Sequence, residues 1–136
     1  MKNPKLNAQR WLAQAEYDFK KSEENLKSGD FAYTCFFAEQ SSQKSLKAYL
    51  IFRGERFVVI HSVGELAKEA AKFDKAFESL IDFAKKLDRH YLAARYPDAV
   101  PEPAVPFESY VKDEAEEAVE IAGKILELSK ELILLK

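Results

Sequence analysis

Two groups of polar residues interrupt the apolar helical stripes of this chain, and their residue types suit the binding of a phosphorylated ligand. The first is Gln40, Lys44 and Lys47, which follow Tyr33, Phe36 and Phe37 and precede Ile51 within a narrow arc of a helical wheel. The second is Asp88, Tyr91, Arg95, Tyr96 and Asp98. Steps of three and four back from Arg95 pass through Tyr91, Asp88, Ala84, Ile81 and Phe77, so a core-facing stripe ends in a guanidinium, a phenol and a carboxylate. Lysine supplies point charges and arginine a planar fork, which together grip phosphate oxygens, while tyrosines offer faces for a base to stack on. In a bundle, two interruptions at similar depth face each other, and the two aspartates then orient Arg95 and a lysine. The competing reading is structural: an ion pair closes the bundle, and the lysine stems lie along apolar neighbours with their ammonium groups in water.

Other chemistries are excluded by what the sequence lacks. There is no G-x-x-x-x-G-K-[ST], G-x-G-x-x-G or G-x-S-x-G, so the phosphate loops and the hydrolase elbow are absent. No glutamate has a histidine three residues on, as a ferritin-like di-iron site requires. Two histidines and the single Cys35 imply no metal and no cofactor, and Cys35 lies in an apolar run as a small buried hydrophobe. Either histidine could still serve as a general base. With 21 Lys plus Arg against 23 Asp plus Glu, the net charge is -2, so any anion site is a local patch. The polar start at Lys2, Asn3, Pro4 and Lys5, with no run of about 18 apolar residues, leads us to expect a cytoplasmic protein without a membrane span.

The elements that must position these residues read as helices throughout, within a single domain spanning 1–136. Leu12, Ala15, Phe19, Ser22 and Leu26 mark a first helix from Asn7 to about Ser28, ended by Gly29, with Trp11 as a core or interface anchor. Glu16 with Lys20 and Glu23 with Lys27 are i,i+4 pairs on its wet side. Asp30 caps a second helix reaching about Arg53 and stopped by Gly54. Ser62 and Glu65 have capping-box spacing at the start of a short third helix that buries Val63, Leu66, Ala67 and Ala70, with His61 packing at that start. Asp74 caps the fourth, which carries the stripe from Phe77 to Arg95. Pro97, Pro101, Pro103 and Pro106 then make an extended, stiff segment that holds Tyr96 and Asp98. The last helix runs from about Ser109 to Leu135 with Val111, Ala115, Ala118, Ala122, Ile125, Ser129 and Leu132 on its stripe, and Lys124, Lys130 and Lys136 toward its end. The expected architecture is all-α, an antiparallel bundle of four long helices plus one short helix.

The run Phe36-Phe37-Ala38-Glu39-Gln40, then Lys44, Leu46-Lys47-Ala48, Gly54, His61-Ser62-Val63 and Arg95-Tyr96-Pro97-Asp98 resembles the HEPN domain, the nucleotide-binding domain of higher eukaryotes and prokaryotes. Trp11-Leu12 with Ala15 and Asp18 fits that family's first helix, so the resemblance covers nearly the whole chain. It implies an up-and-down helical bundle, paired as a homodimer and often encoded beside a small nucleotidyltransferase in a toxin-antitoxin arrangement. Many HEPN proteins are metal-independent ribonucleases with an R-x4-6-H motif late in the bundle. This chain departs from that pattern: no histidine follows Arg95, and His90 precedes it. Arg56 and His61 satisfy the spacing but straddle the loop into the third helix, where the motif is not expected.

The expected function is therefore binding of a nucleotide or RNA phosphate by Gln40, Lys44, Lys47 and Arg95, with Asp88, Tyr91, Tyr96 and Asp98 completing the site and a nucleotidyltransferase as protein partner. The alternatives are a ribonuclease with Arg95 stabilising the transition state and His90 or His61 as base, and a structural module whose polar cluster fixes helix register.

Overall fold

In a computed structural model, which describes residues 3–56 and 58–134, the chain is an all-α bundle of six α-helices with no strand among the described residues. Helix α1, Pro4–Ser28, begins three residues earlier than its stripe suggests because Asn3 Oδ1 accepts from the backbone N–H groups of Lys5 and Leu6 and Pro4 occupies the first turn. It ends at Gly29, whose φ of +82° and N–H to the Leu26 carbonyl make a left-handed cap. Its buried face is Ala8, Leu12, Ala15, Asp18 and Ser22, with Phe19 and Leu26 packed at the margin of the core. Glu16 reaches Lys130 at 3.0 Å on another helix, not Lys20.

Helix α2, Phe31–Phe52, is the centre of the bundle: fifteen of its 22 residues are buried, so partners must cover it on most sides. Helices α1, α3 (Val63–Phe73) and α6 (Lys112–Leu134) supply them. Close approach is possible because α2 carries small residues whose hydroxyls are satisfied locally. Ser42 and Ser45 donate to the carbonyls four residues back, and Ser41 donates across to the Ala15 carbonyl of α1 at 2.8 Å. Asp30 precedes α2 without a side-chain cap bond, while Gly54 turns the chain away with φ +105°. Helix α3 buries the four expected residues, with Ser62 Oγ accepting from the Glu65 N–H.

The fourth expected helix is delivered in pieces: a 3-10 turn at Lys75–Leu80 capped by Asp74, then α4 at Ile81–Leu87 and α5 at His90–Ala93. Phe77 and Ala84 are buried as the stripe requires. The break falls at Asp88 and Arg89, where two demands conflict. Asp88 must face α3, whereas His90, about 200° further round a continuous helix, must reach the core. The following segment is not α-helical, but it is not fully extended either: Pro97–Ala99 and Pro106–Glu108 form 3-10 turns with proline in the first position. Helix α6 buries Ala115, Ala118, Ala122, Ile125 and Ser129 and is tied to α4 by Lys86 and Glu117. Val111 lies before it, 62% exposed, and the expected ends at Leu135 and Lys136 fall outside the described residues.

Candidate functional site

Arg95 follows α5 directly, and its guanidinium is held flat. Nε and one terminal nitrogen donate to the Tyr91 carbonyl at 3.1 and 2.8 Å, while the guanidinium carbon lies 4.4 Å from the ring centre of Phe36, 4.8 Å from Tyr96 and 5.4 Å from Tyr91. Three aromatic quadrupoles and a neutral carbonyl thus surround a half-buried cation. The other terminal nitrogen reaches the Tyr96 hydroxyl at a long 3.5 Å. Among the described residues no carboxylate forms an ion pair with Arg95.

The two aspartates expected to orient it are engaged elsewhere or exposed. Asp88 sits at the start of α3, accepting from Ser62 Oγ at 2.8 Å and from the N–H groups of Val63 at 2.5 Å and Gly64 at 3.3 Å. It is a capping acceptor there, and the positive end of α3 suits its charge. Asp98 is exposed in the 3-10 turn that follows Tyr96.

Beside Arg95 lies a chain of hydrogen bonds that sequence reasoning did not single out. Glu39 is fully buried, its Oε1 accepting from Gln40 Nε2 at 2.8 Å and its Oε2 from Gln43 Nε2 at 2.9 Å. The Gln43 carbonyl oxygen meets His61 Nδ1 at 3.1 Å. His61 is exposed, and its ring stacks on Tyr91 at 5.6 Å and 14°. Burial pushes the Glu39 carboxyl up to about 7; the amide bonds and the Arg95 charge oppose the shift, and the Asp88 charge adds to it. The sequence signal was an acid in the middle of the most apolar helix with an amide one turn on, an arrangement that demands partners.

The two lysines lie toward α1. Lys44 Nζ contacts Asp18 at 2.5 Å, and Asp18 also accepts from Gln14 at 3.1 Å. Lys47 is 6% exposed, with Nζ 5.7 Å from the Trp11 ring centre, and burial lowers its pKa while Glu39 opposes the shift and Lys44 adds to it. The expected set therefore divides: Arg95, Tyr91 and Tyr96 gather with Phe36, Gln40 bonds to the buried Glu39, and Lys44 and Lys47 face α1. A groove of about 1040 Å³ opens beside Lys44, lined by Arg10, Trp11, Tyr17 and Arg56, and neither His61 nor Arg95 lines it.

His90 is removed from this surface: 3% exposed, its Nδ1 3.1 Å from the Tyr110 hydroxyl, with its pKa lowered to about 4 by burial and then by the Arg89 charge. It is a core histidine, leaving His61 beside Arg95. Cys35 is buried, and its thiol is pushed up to about 12 by burial. No cluster of three or more His, Cys, Asp or Glu side chains among the described residues could hold a metal, and no helix is long and apolar enough to cross a membrane.

Comparison with known proteins agrees with this architecture. The HEPN domain family model matches residues 8–132, and the chain belongs to that family. "Putative toxin MJ1304" of Methanocaldococcus jannaschii is 29% identical over 133 residues, covering 93% of this chain and 88% of that protein. The crystal structure of TT1696 from Thermus thermophilus superposes with a TM-score of 0.84 at 35% identity, covering 91% of this chain and 96% of that one. ST0689, described as an archaeal HEPN homologue, gives 0.75 at 30% identity over 98% of this chain and 99% of its own.

Proposed function

We propose that this HEPN-domain protein binds a nucleotide or RNA phosphate at the surface formed by Arg95, Tyr91, Tyr96 and Gln40. The observation that carries the reading is Arg95: its guanidinium is pre-oriented by one carbonyl and three rings, with no carboxylate partner among the described residues, so a phosphate is the group that completes it. Tyr96 is half exposed and offers a face for a base. Lys44 and Lys47 add positive potential from the α1 side, Asp88 fixes α3 behind Tyr91, and Asp98 flanks the rim. The protein works as a cytoplasmic homodimer, and the likeness to a protein described as a toxin supports a role in a toxin-antitoxin pair whose second member is a small nucleotidyltransferase. Calorimetric titration of the wild type and Arg95→Ala with a nucleotide panel tests the site. Sedimentation and co-purification with the nucleotidyltransferase test the assembly.

A second reading, metal-independent cleavage of RNA, is favoured by one observation: His61 is exposed beside the Arg95 cluster with Nδ1 already engaged, as a general base requires. Cleavage of an RNA substrate in chelator, lost in His61→Ala and retained in His90→Ala, would establish it.

A further inference from the structure

The groove beside Lys44 is separate from the Arg95 surface, and its two walls differ in chemistry. One is α1, where Asn7, Arg10, Trp11, Gln14 and Tyr17 share a face that runs roughly 15 Å along the helix axis. The other is Ile51 near the end of α2, with Val58 and Val59 in the loop that follows. Three cations, Arg10, Lys44 and Arg56, line the groove, and no carboxylate among the described residues does, in a chain where 23 acids outnumber 21 bases. Arg10 is exposed and forms no ion pair or hydrogen bond among the described residues. Lys44 gives one of its ammonium hydrogens to Asp18 and keeps two. The groove is therefore complementary to an anion that also carries apolar groups.

The backbone of the second wall is open. Val58, Val59 and Ile60 belong to no helix or strand, and their main-chain groups make no hydrogen bond among the described residues. Three consecutive residues with unpaired N–H and C=O groups beside an apolar wall can pair with an added peptide strand. Val59, 77% exposed, and Tyr17, 53% exposed, leave apolar surface for it to cover. A nucleic acid strand has no alternating amide donors and acceptors to match this wall, and its phosphates would lie against Ile51 and the valines. Each ring of the groove also has an ammonium on one side, Lys47 Nζ at 5.7 Å from the centre of Trp11 and Lys21 Nζ at 5.3 Å from that of Tyr17, so neither can be sandwiched between bases.

We infer that this groove is a docking site for a partner protein, and that it takes an extended segment of about five residues in which acidic side chains alternate with apolar ones. The two-residue period of a strand turns the carboxylates to one side, for Arg10 and Lys44, and the apolar side chains to the other, for Ile51 and the valines. The segment's main chain pairs with the open groups of Val58 to Ile60. Phosphate binding at Arg95 is not needed for any of this.

Trp11 is the single tryptophan of the chain and lines the groove, so its fluorescence reports on the site directly. The probes are acetylated, amidated hexapeptides made of three repeats of Glu-Val, Asp-Leu or Glu-Phe, their counterparts with lysine in place of the acid, and hexauridylate as a single-stranded RNA. At least one acidic peptide should shift the Trp11 emission saturably, while its lysine counterpart binds at least about tenfold more weakly. Arg10→Glu, a change at an exposed residue, should weaken the acidic peptide by about tenfold or more, and so should methylation of alternate peptide nitrogens, which blocks main-chain pairing. Amide spectra of the labelled protein give a second readout, in which the Val58, Val59 and Ile60 signals should move on addition of the acidic peptide. Binding of hexauridylate with no acidic peptide bound overturns the inference and assigns the groove to nucleic acid. Failure of every probe overturns it, as do equal binding of acidic and lysine peptides, full affinity in Arg10→Glu, or full affinity of the methylated peptide.

Discussion

The carboxylate of Asp88 accepts the backbone N–H of Val63 at 2.5 Å, so a residue at the end of α4 closes the start of α3, 25 positions earlier in the chain. The same carboxylate takes Ser62 Oγ and the Gly64 N–H. An isolated helix start leaves its first N–H groups without partners, and here one side chain satisfies two of them. Asp88→Ala should therefore lower stability by about 2 to 3 kcal/mol, the range for losing a charged acceptor of buried donors. Asp88 makes no ion pair with Arg95, so a double-mutant cycle of Asp88→Ala with Arg95→Ala should show coupling of no more than about 0.5 kcal/mol. Denaturant melts of the four proteins read both numbers, and a large coupling would restore the structural ion pair as the explanation of this cluster.

The closeness of α3 to α4 makes Gly64 sensitive. A Cβ built there would lie 2.7 Å from Lys85 Cγ and 3.2 Å from Asp88 Oδ2. Lys85 has a flexible side chain, but its backbone Cα is only 3.4 Å away, which limits how far it can withdraw. Gly64→Ala is expected to cost about 1 to 3 kcal/mol through overpacking. Urea midpoints should show it, and an unchanged midpoint would mean that α4 moves freely over α3.

How far the sequence revealed this arrangement differs from residue to residue. The ends of α1 and α2 were legible because Gly29 and Gly54 are local signals, and the stripes of α1, α3 and α6 were legible because burial follows the 3.6 period. The break at Asp88 was not: its cause is a contact with Val63, which no local pattern records. Arg95 and Tyr91 are legible together because their spacing is helical, and Tyr96 because it adjoins Arg95 at the start of the proline-rich segment. Their expected partners were not all found, since Lys44 answers to Asp18 on a different helix, and the position of Glu39 in the most apolar helix signals a need for partners without naming them.

Glu39 and His90 should shape the pH dependence of stability in opposite senses. Glu39 is raised from 4.5 to about 7, so the folded chain holds its proton more tightly than the unfolded one. Its contribution is complete below 4.5 and is lost as pH rises through about 7. His90 is lowered from 6.5 to about 4, so its contribution is present above 6.5 and is lost as pH falls toward 4. Each is on the order of 3 kcal/mol, and between about 4.5 and 6.5 they largely cancel. Relative to wild type, Glu39→Gln should gain stability steadily from pH 5 to pH 8, and His90→Phe should gain it as pH falls below 6.5. Denaturant titrations at four pH values test this; profiles parallel to the wild type would show that neither group is desolvated as the structure has it. Asp88, Arg95 and Lys47 act electrostatically on Glu39, so the slopes should be compared at constant ionic strength.

Arg95 separates the binding reading from the structural one. Its guanidinium packs on Phe36, Tyr91 and Tyr96 and pairs with no carboxylate among the described residues, so Arg95→Ala removes packing and cation–π attraction without orphaning a buried anion. The loss of stability should stay near 1 kcal/mol, well short of the 3 to 5 kcal/mol that breaking a buried pair costs. Loss of the phosphate contact should meanwhile weaken nucleotide binding by about 1.5 to 3 kcal/mol, or roughly ten- to a hundredfold. Arg95→Lys keeps the charge but cannot lie flat among three rings or offer a fork, and should recover only part of the affinity. Lys44→Ala, which leaves Asp18 without its ammonium partner, should do the reverse and cost more in stability than in binding. Nucleotide titrations set beside thermal melts of the three variants decide the matter: an Arg95→Ala protein with wild-type affinity and a strongly lowered melting temperature would leave the cluster as a packing device and remove the binding site.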